Sequence, residues 1–141
     1  MNKTYIILGL LVVMGVLFFM GKDSKKDSNE IVQSPVTINP VSHASAVINW
    51  EDKVIYTDPV GSVELYASYP KADVILITDI HGDHFNPETI AGVSKESTTV
   101  IVPQAVFDLL KAKPNKVTGI LVVNNGGKVG PPNFAGEIEA I

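Results

Sequence analysis

The pattern of apolar and polar positions divides the chain into three parts. From Tyr5 to Met20 no residue carries a charge, from Lys22 to Ser34 polar residues follow without periodicity, and from Val36 onward short apolar runs recur between turn residues. The short runs predict strands. Val36–Ile38 is the first, and Ala46–Trp50 and Lys53–Thr57 form a pair joined by Glu51-Asp52, a tight hairpin turn in position and composition. Asp58-Pro59 stops the second of the pair, because proline cannot donate to a ladder. Residues 60–71 connect onward, with a turn of helix expected near Glu64 to Ser68. Val74–Thr78 is apolar or β-branched throughout, as in a strand buried on both faces. Asn86-Pro87-Glu88 then opens a short helix reaching Gly92 or Val93, with Asn86 as cap and Pro87 at the first helical position. Thr98–Val102 is a strand ended by Pro103, and Gln104–Lys111 a helix with Val106, Leu109 and Leu110 toward the sheet. Val117–Val123 is a strand, Asn124–Gly127 a turn and Phe134–Ile141 a last strand. This succession predicts an α/β (α+β) fold with helices packed on a sheet, in which Trp50 and Tyr56 are core or sheet-surface residues.

The uncharged amino-terminal run is long enough to cross a bilayer. As a helix, Thr4–Gly21 reaches about 27 Å at 1.5 Å per residue, close to the roughly 30 Å of hydrocarbon. Lys3 precedes it, and the bulky Leu17-Phe18-Phe19-Met20 offers no small-residue cleavage site. Residues 1–21 therefore read as an uncleaved signal anchor, with a cleaved, secreted form as the alternative. Lys22, Lys25 and Lys26 compete with Lys3 in setting orientation. Residues 22–34 read as a flexible tether, and residues 35–141 as the folded domain, expected on the periplasmic or extracellular side.

Composition narrows the function. The chain has 141 residues, a formal net charge of −4 and no cysteine. No basic stripe is present, so a nucleic-acid partner is not expected. Disulfides and thiolate metal ligands are excluded.

The chemistry gathers after Val74–Thr78. Asp79, His81, Asp83 and His84 are four potential metal ligands within six positions, with Gly82 among them to permit a sharp backbone path. A strand end is rigid and pre-aims the side chains that leave it, and ligands in open α/β folds bind beyond the carboxyl ends of the strands. Imidazole nitrogen and carboxylate oxygen suit a divalent ion, and three protein donors plus a water make a catalytic site. Asp, Gly and His are also common in solvated loops, but four candidate donors directly after a buried strand favour metal.

The segment Thr78-Asp79-x-His81-x-Asp83-His84 resembles the metal-binding signature of the metallo-β-lactamase fold, usually His-x-His-x-Asp-His. That likeness implies an αββα sandwich in which Asp79 and His81 serve a first metal and Asp83 and His84 a second. Asp83 would also orient or deprotonate the attacking water as the catalytic residue. The expected cofactor is one or two divalent ions, most readily zinc. Asp79 in place of the usual histidine moves the preference toward manganese, iron or magnesium. Pro40-Val41-Ser42-His43-Ala44-Ser45 and Tyr56-Thr57-Asp58-Pro59 are similar to the opening of the lactonase-like branch of that superfamily, which brings His43 and Asp58 near the site. On their own residues, His43 is equally a hydrogen-bonded loop histidine, and Asp58 either a turn residue or the group that fixes a ligand histidine's tautomer.

The family fold has two halves, and the second supplies further histidines. After His84 this chain has none, and it stops within an apparent strand at Ile141. The expectation is a truncated, amino-terminal portion of such a domain, with an exposed sheet edge prone to self-association. The expected function is a metal-dependent hydrolase activating water against an ester, lactone or phosphoester of a small-molecule substrate. The alternative is a non-catalytic, membrane-anchored domain with a degenerate or structural metal site.

Overall fold

The computed structural model describes residues 36–112, 117, 119–132 and 134–141. The expected anchor over 1–21 and tether over 22–34 lie outside these residues. Among the described residues no helix is long and apolar enough to cross a membrane.

The described residues hold eight strands and two helices, in the order β1 (Thr37–Ser42), β2 (Ser45–Trp50), β3 (Lys53–Thr57), a 3-10 turn (Val63–Tyr66), β4 (Ala72–Leu76), α1 (Pro87–Val93), β5 (Ser94–Val102), α2 (Gln104–Lys111), β6 (Gly119–Val122), β7 (Lys128–Val129) and β8 (Ile138–Glu139). Strands β1 to β6 form one six-stranded sheet in sequence order, and β7 and β8 a separate two-stranded ribbon. The pairs β1–β2 and β2–β3 are antiparallel, joined by tight turns in which His43 and Glu51 take positive φ of 49° and 54°. From β3 to β6 the pairing is parallel. Parallel neighbours need crossovers, and the 3-10 turn, α1 and α2 lie in those three connections.

The crossovers cover one face. Tyr56, Ile75, Val100 and Val102 of the sheet bury against Tyr66, Ile90, Val93, Val106 and Leu110. On the opposite face Ile55, Val74 and Ile101 are buried, with Val129, Phe134 and Ile138 from the ribbon segment packed on them. Neighbouring Val74 and Ile75 thus point to opposite apolar layers, which is why the run Val74–Leu76 of β4 shows no polar alternation. The described residues form a mixed α/β fold with a central sheet, a helical layer on one side and a small second sheet on the other.

Several boundaries differ from expectation. Strand β1 runs through Pro40 to Ser42, tolerated because β1 is an edge strand and its register shifts between Pro40 and Ser42. Strand β5 begins at Ser94, directly after α1, rather than at Thr98. Leu109 is 40% exposed, whereas Val106 and Leu110 are buried. At 3.6 residues per turn, Leu109 lies about 80° from the centre of the Val106–Leu110 stripe. Trp50 is half-exposed and stacks edge-on against Phe134, their centroids 5.0 Å apart, while Tyr56 is in the core.

Candidate metal centre

The ends of β3 and β4 are tied together where the ligand loop begins. Asp58 N–H donates to Leu76 O at 2.8 Å, and on the other side Ile77 N–H donates to Ile101 O of β5 at 3.0 Å. Asp58 has φ 40°, in the left-handed region that Asp tolerates better than most residues. Ser45 Oγ holds its carbonyl at 2.6 Å. Its side chain, 3% exposed, points toward the loop. Oδ1 accepts from Thr78 N–H at 2.7 Å, and Oδ2 from the Thr78 hydroxyl at 2.6 Å. No described buried side-chain polar atom lacks a partner.

Beyond Thr78 the backbone winds into a turn. His81 O accepts from His84 N–H at 2.9 Å and from Phe85 N–H at 2.8 Å. Asn86 Oδ1 then caps α1 by accepting from Glu88 and Thr89 N–H. This turn carries the His84 ring back over β3. His84 Nδ1 lies 3.0 Å from Asp58 Oδ2 and 3.0 Å from Thr78 Oγ1. A carboxylate accepts only, so Nδ1 carries the proton and Nε2 is left unprotonated, with its lone pair free to bind a metal. His84 Nε2 is 3.6 Å from Asp83 Oδ2. The hydrogen bond to Asp58 raises the His84 pKa above the ordinary imidazole value; partial desolvation opposes this, and the charges of Asp58, Asp83 and Asp79 reinforce it.

Asp79 and His81 make a second pair. Asp79 Oδ1 accepts from Ile80 N–H at 2.5 Å and His81 N–H at 3.2 Å, and lies 2.8 Å from His81 Nδ1. Desolvation pushes the Asp79 carboxyl up, but those backbone bonds and the nearby imidazoles carry it below its usual value. His43 sits in the β1–β2 turn with its Nδ1 2.9 Å from Ser42 Oγ, a local contact rather than one to the loop. The structure thus brings Asp83, His84 and Asp58 together and turns Asp79 and His81 toward each other. Thr78 and Ser45, which hold Asp58, lie within the segments that carry the family likeness, but nothing in their residue types shows that they bond Asp58.

Two donors of one tetrahedral ion, each about 2.1 Å from it, stand about 3.4 Å apart. The Asp83–His84 spacing of 3.6 Å therefore fits co-ligation, and the donor chemistry fits a divalent cation. The 2.8 Å between Asp79 and His81 is instead a hydrogen-bond distance, and these side chains must part before both can bind one ion. Among the described residues no group of three His, Asp or Glu side chains is placed to hold an ion. The loop supplies part of a coordination shell.

A mixed sheet with a His/Asp loop at the carboxyl end of a parallel strand defines a class of metal-binding α/β proteins. The profile of the beta-lactamase superfamily domain matches residues 37–135, and the chain belongs to that family, with the metallo-β-lactamase fold. A protein of Parabacteroides distasonis ATCC 8503 carrying the provisional designation metal-dependent hydrolase is 34% identical, with a TM-score of 0.56 over 67% of this chain and 40% of its own. A metallo hydrolase from the hyperthermophilic archaeon Ignicoccus hospitalis KIN4/I, 19% identical, shares the fold with a TM-score of 0.56 over 71% of this chain and 44% of its own. The chain thus spans less than half the length of either structure. No curated protein matches it.

Proposed function

We propose that this chain carries the metal-binding loop of a metal-dependent hydrolase, with Asp83 and His84 holding a divalent cation. One observation carries this reading: His84 Nδ1 lies 3.0 Å from the buried Asp58 carboxylate, which accepts the Nδ1–H hydrogen bond and leaves the Nε2 lone pair free beside Asp83. Asp79 and His81, once parted, would hold a second cation. Such a cation, zinc or else manganese or iron, would acidify water and stabilise the oxyanion that develops during ester, lactone or phosphoester cleavage. Asp83, with 58% of its side chain exposed, is accessible to orient the attacking water or accept its proton. A cavity of about 270 Å³ reaches from Thr78 along Leu76, Ile101, Pro103, Val123 and Ile138, and suits the apolar part of a small-molecule substrate.

The test is titration of metal-free protein with zinc ions, followed by assay on generic esters and phosphodiesters. The expected result is at least one zinc per chain, strong loss of binding in the double variant Asp83→Asn/His84→Gln, and turnover that a chelator abolishes. Less than one metal per chain together with no chelator-sensitive turnover overturns the proposal. A second reading, a non-catalytic domain with a structural or degenerate site, is favoured by the lack of a three-donor group among the described residues. Zinc binding that raises the melting temperature without turnover would select it.

The uncharged run Tyr5–Met20 further supports anchoring by residues 1–21, with the domain periplasmic or extracellular. Release of the full chain from membranes by alkaline carbonate would contradict that. The end strands β1 and β6 support self-association through a sheet edge, which a monomer in sedimentation velocity would rule out.

A further inference from the structure

We infer that Thr78 is a positioning residue: it clamps the Asp58 carboxylate with its backbone N–H and its hydroxyl, and so holds the His84 imidazole in the tautomer that bares Nε2. The functional meaning rests on the proposed metal role of His84; the tautomer does not.

Donors and acceptors can be counted atom by atom. Asp58 Oδ1 is occupied by Thr78 N–H at 2.7 Å, and Oδ2 by the Thr78 hydroxyl at 2.6 Å. A hydroxyl has one proton, and here it goes to Asp58. The Thr78 oxygen therefore meets His84 Nδ1, 3.0 Å away, as an acceptor. Asp58 Oδ2, also 3.0 Å from Nδ1, is a second acceptor. With two acceptors facing it, Nδ1 is satisfied only when protonated. The Asp58 side chain is nearly fully buried, so few waters can replace a lost partner there.

The threonine works through two other residues. Its backbone bond to Oδ1 survives any side-chain change, whereas its hydroxyl bonds to Oδ2 and Nδ1 do not. Thr78→Val keeps the β-branched shape and removes only the hydroxyl's bonding, and Thr78→Ser restores it.

The experiment is nitrogen-15 NMR of the imidazole rings at about pH 9, where a histidine is neutral, together with zinc titration of each variant. Wild type is expected to show His84 with a protonated Nδ1 and a bare Nε2. Thr78→Val should move those shifts toward a mixture of tautomers and weaken zinc binding about tenfold, the low end for loss of an outer-shell partner. Thr78→Ser should restore both readouts. In an Asp58→Asn background Thr78→Val should add less than twofold to the loss. A wild-type His84 with its proton on Nε2 overturns the inference without recourse to any variant, even if Thr78→Val fails to fold. Folded Thr78→Val with unchanged ring shifts and zinc affinity within twofold of wild type also overturns it. If wild type binds no zinc, the proposed function falls while the ring shifts still decide the role of Thr78.

Discussion

The Asp58 carboxylate accepts from the Thr78 N–H, the Thr78 hydroxyl and the His84 ring, and an amide cannot do all three. In Asp58→Asn the oxygen stays on the Thr78 N–H and the NH2 faces Nδ1, which then gives up its proton to Nε2. Zinc binding should weaken about 10–100-fold by calorimetry, with the fold intact by circular dichroism. At the other end of the sheet Asp73 has a purely structural task. Its Oδ2 accepts from Val54 N–H at 2.9 Å and its Oδ1 pairs with Lys95 Nζ at 2.6 Å. Desolvation raises the Asp73 pKa, but the Lys95 and Val54 hydrogen bonds and the charges of Lys95 and Lys53 bring it below its ordinary value overall. A depressed folded-state value gives stability that is present above the unfolded value and lost as pH falls through the folded one. Asp73→Asn should therefore cost about 1 kcal/mol near neutral pH and lose its disadvantage at the acid end. Urea unfolding across that range checks both.

At the scale of elements, α1 connects the ligand loop to β5. Its start was legible because cap chemistry is local: Asn86 precedes Pro87, and its side chain does accept from two N–H groups. Its packing was not legible. A Cβ at Gly92 would run into both methyl groups of Val63 on the 3-10 turn, and Lys71 Nζ reaches Gly92 O. Gly92→Ala gains up to about 1 kcal/mol in helix propensity, while overpacking costs about 1–3 kcal/mol. The variant should be less stable by about 1 kcal/mol in urea unfolding, against what propensity alone would give. Helix α2 spans the expected Gln104–Lys111, but which of its leucines faces inward depends on the angle at which it meets the sheet. The expected last strand over Phe134–Ile141 shrinks to Ile138–Glu139 because its partner β7 offers only Lys128–Val129. Pro131 and Pro132 follow β7, and Pro131 and Pro132 have no N–H to extend the ladder.

For the molecule as a whole, the two faces of the sheet are unequally protected. One lies under α1, α2 and the 3-10 turn, and the other under the ribbon segment, where Phe134 meets Trp50 edge to face. Aromatic pairs contribute about 0.5–1.5 kcal/mol beyond their area, so Phe134→Ala should destabilise the domain by about 2 kcal/mol. It should also raise binding of an apolar dye as the Ile55–Val74–Ile101 face opens. Unchanged dye binding and stability would mean that the segment does not cover that face. Ile38 of β1, paired with Ile48 of β2, is 63% exposed.

What the sequence determined by itself was local. Strand and helix types, the Asn86 cap, the Glu51-Asp52 turn and the cluster of donors after Thr78 follow from neighbouring residues, because turn chemistry, capping and side-chain periodicity act over a few positions. The likeness of short motifs suggested Asp58 near the site but not which ring it holds. That pairing joins residues 26 positions apart and exists only because β3 and β4 lie side by side in parallel. Tertiary structure alone also decided that Asp83 and His84 converge while Asp79 and His81 bond each other, since competing hydrogen bonds set loop rotamers. The chain chose its donors locally; the sheet decided which of them face one another.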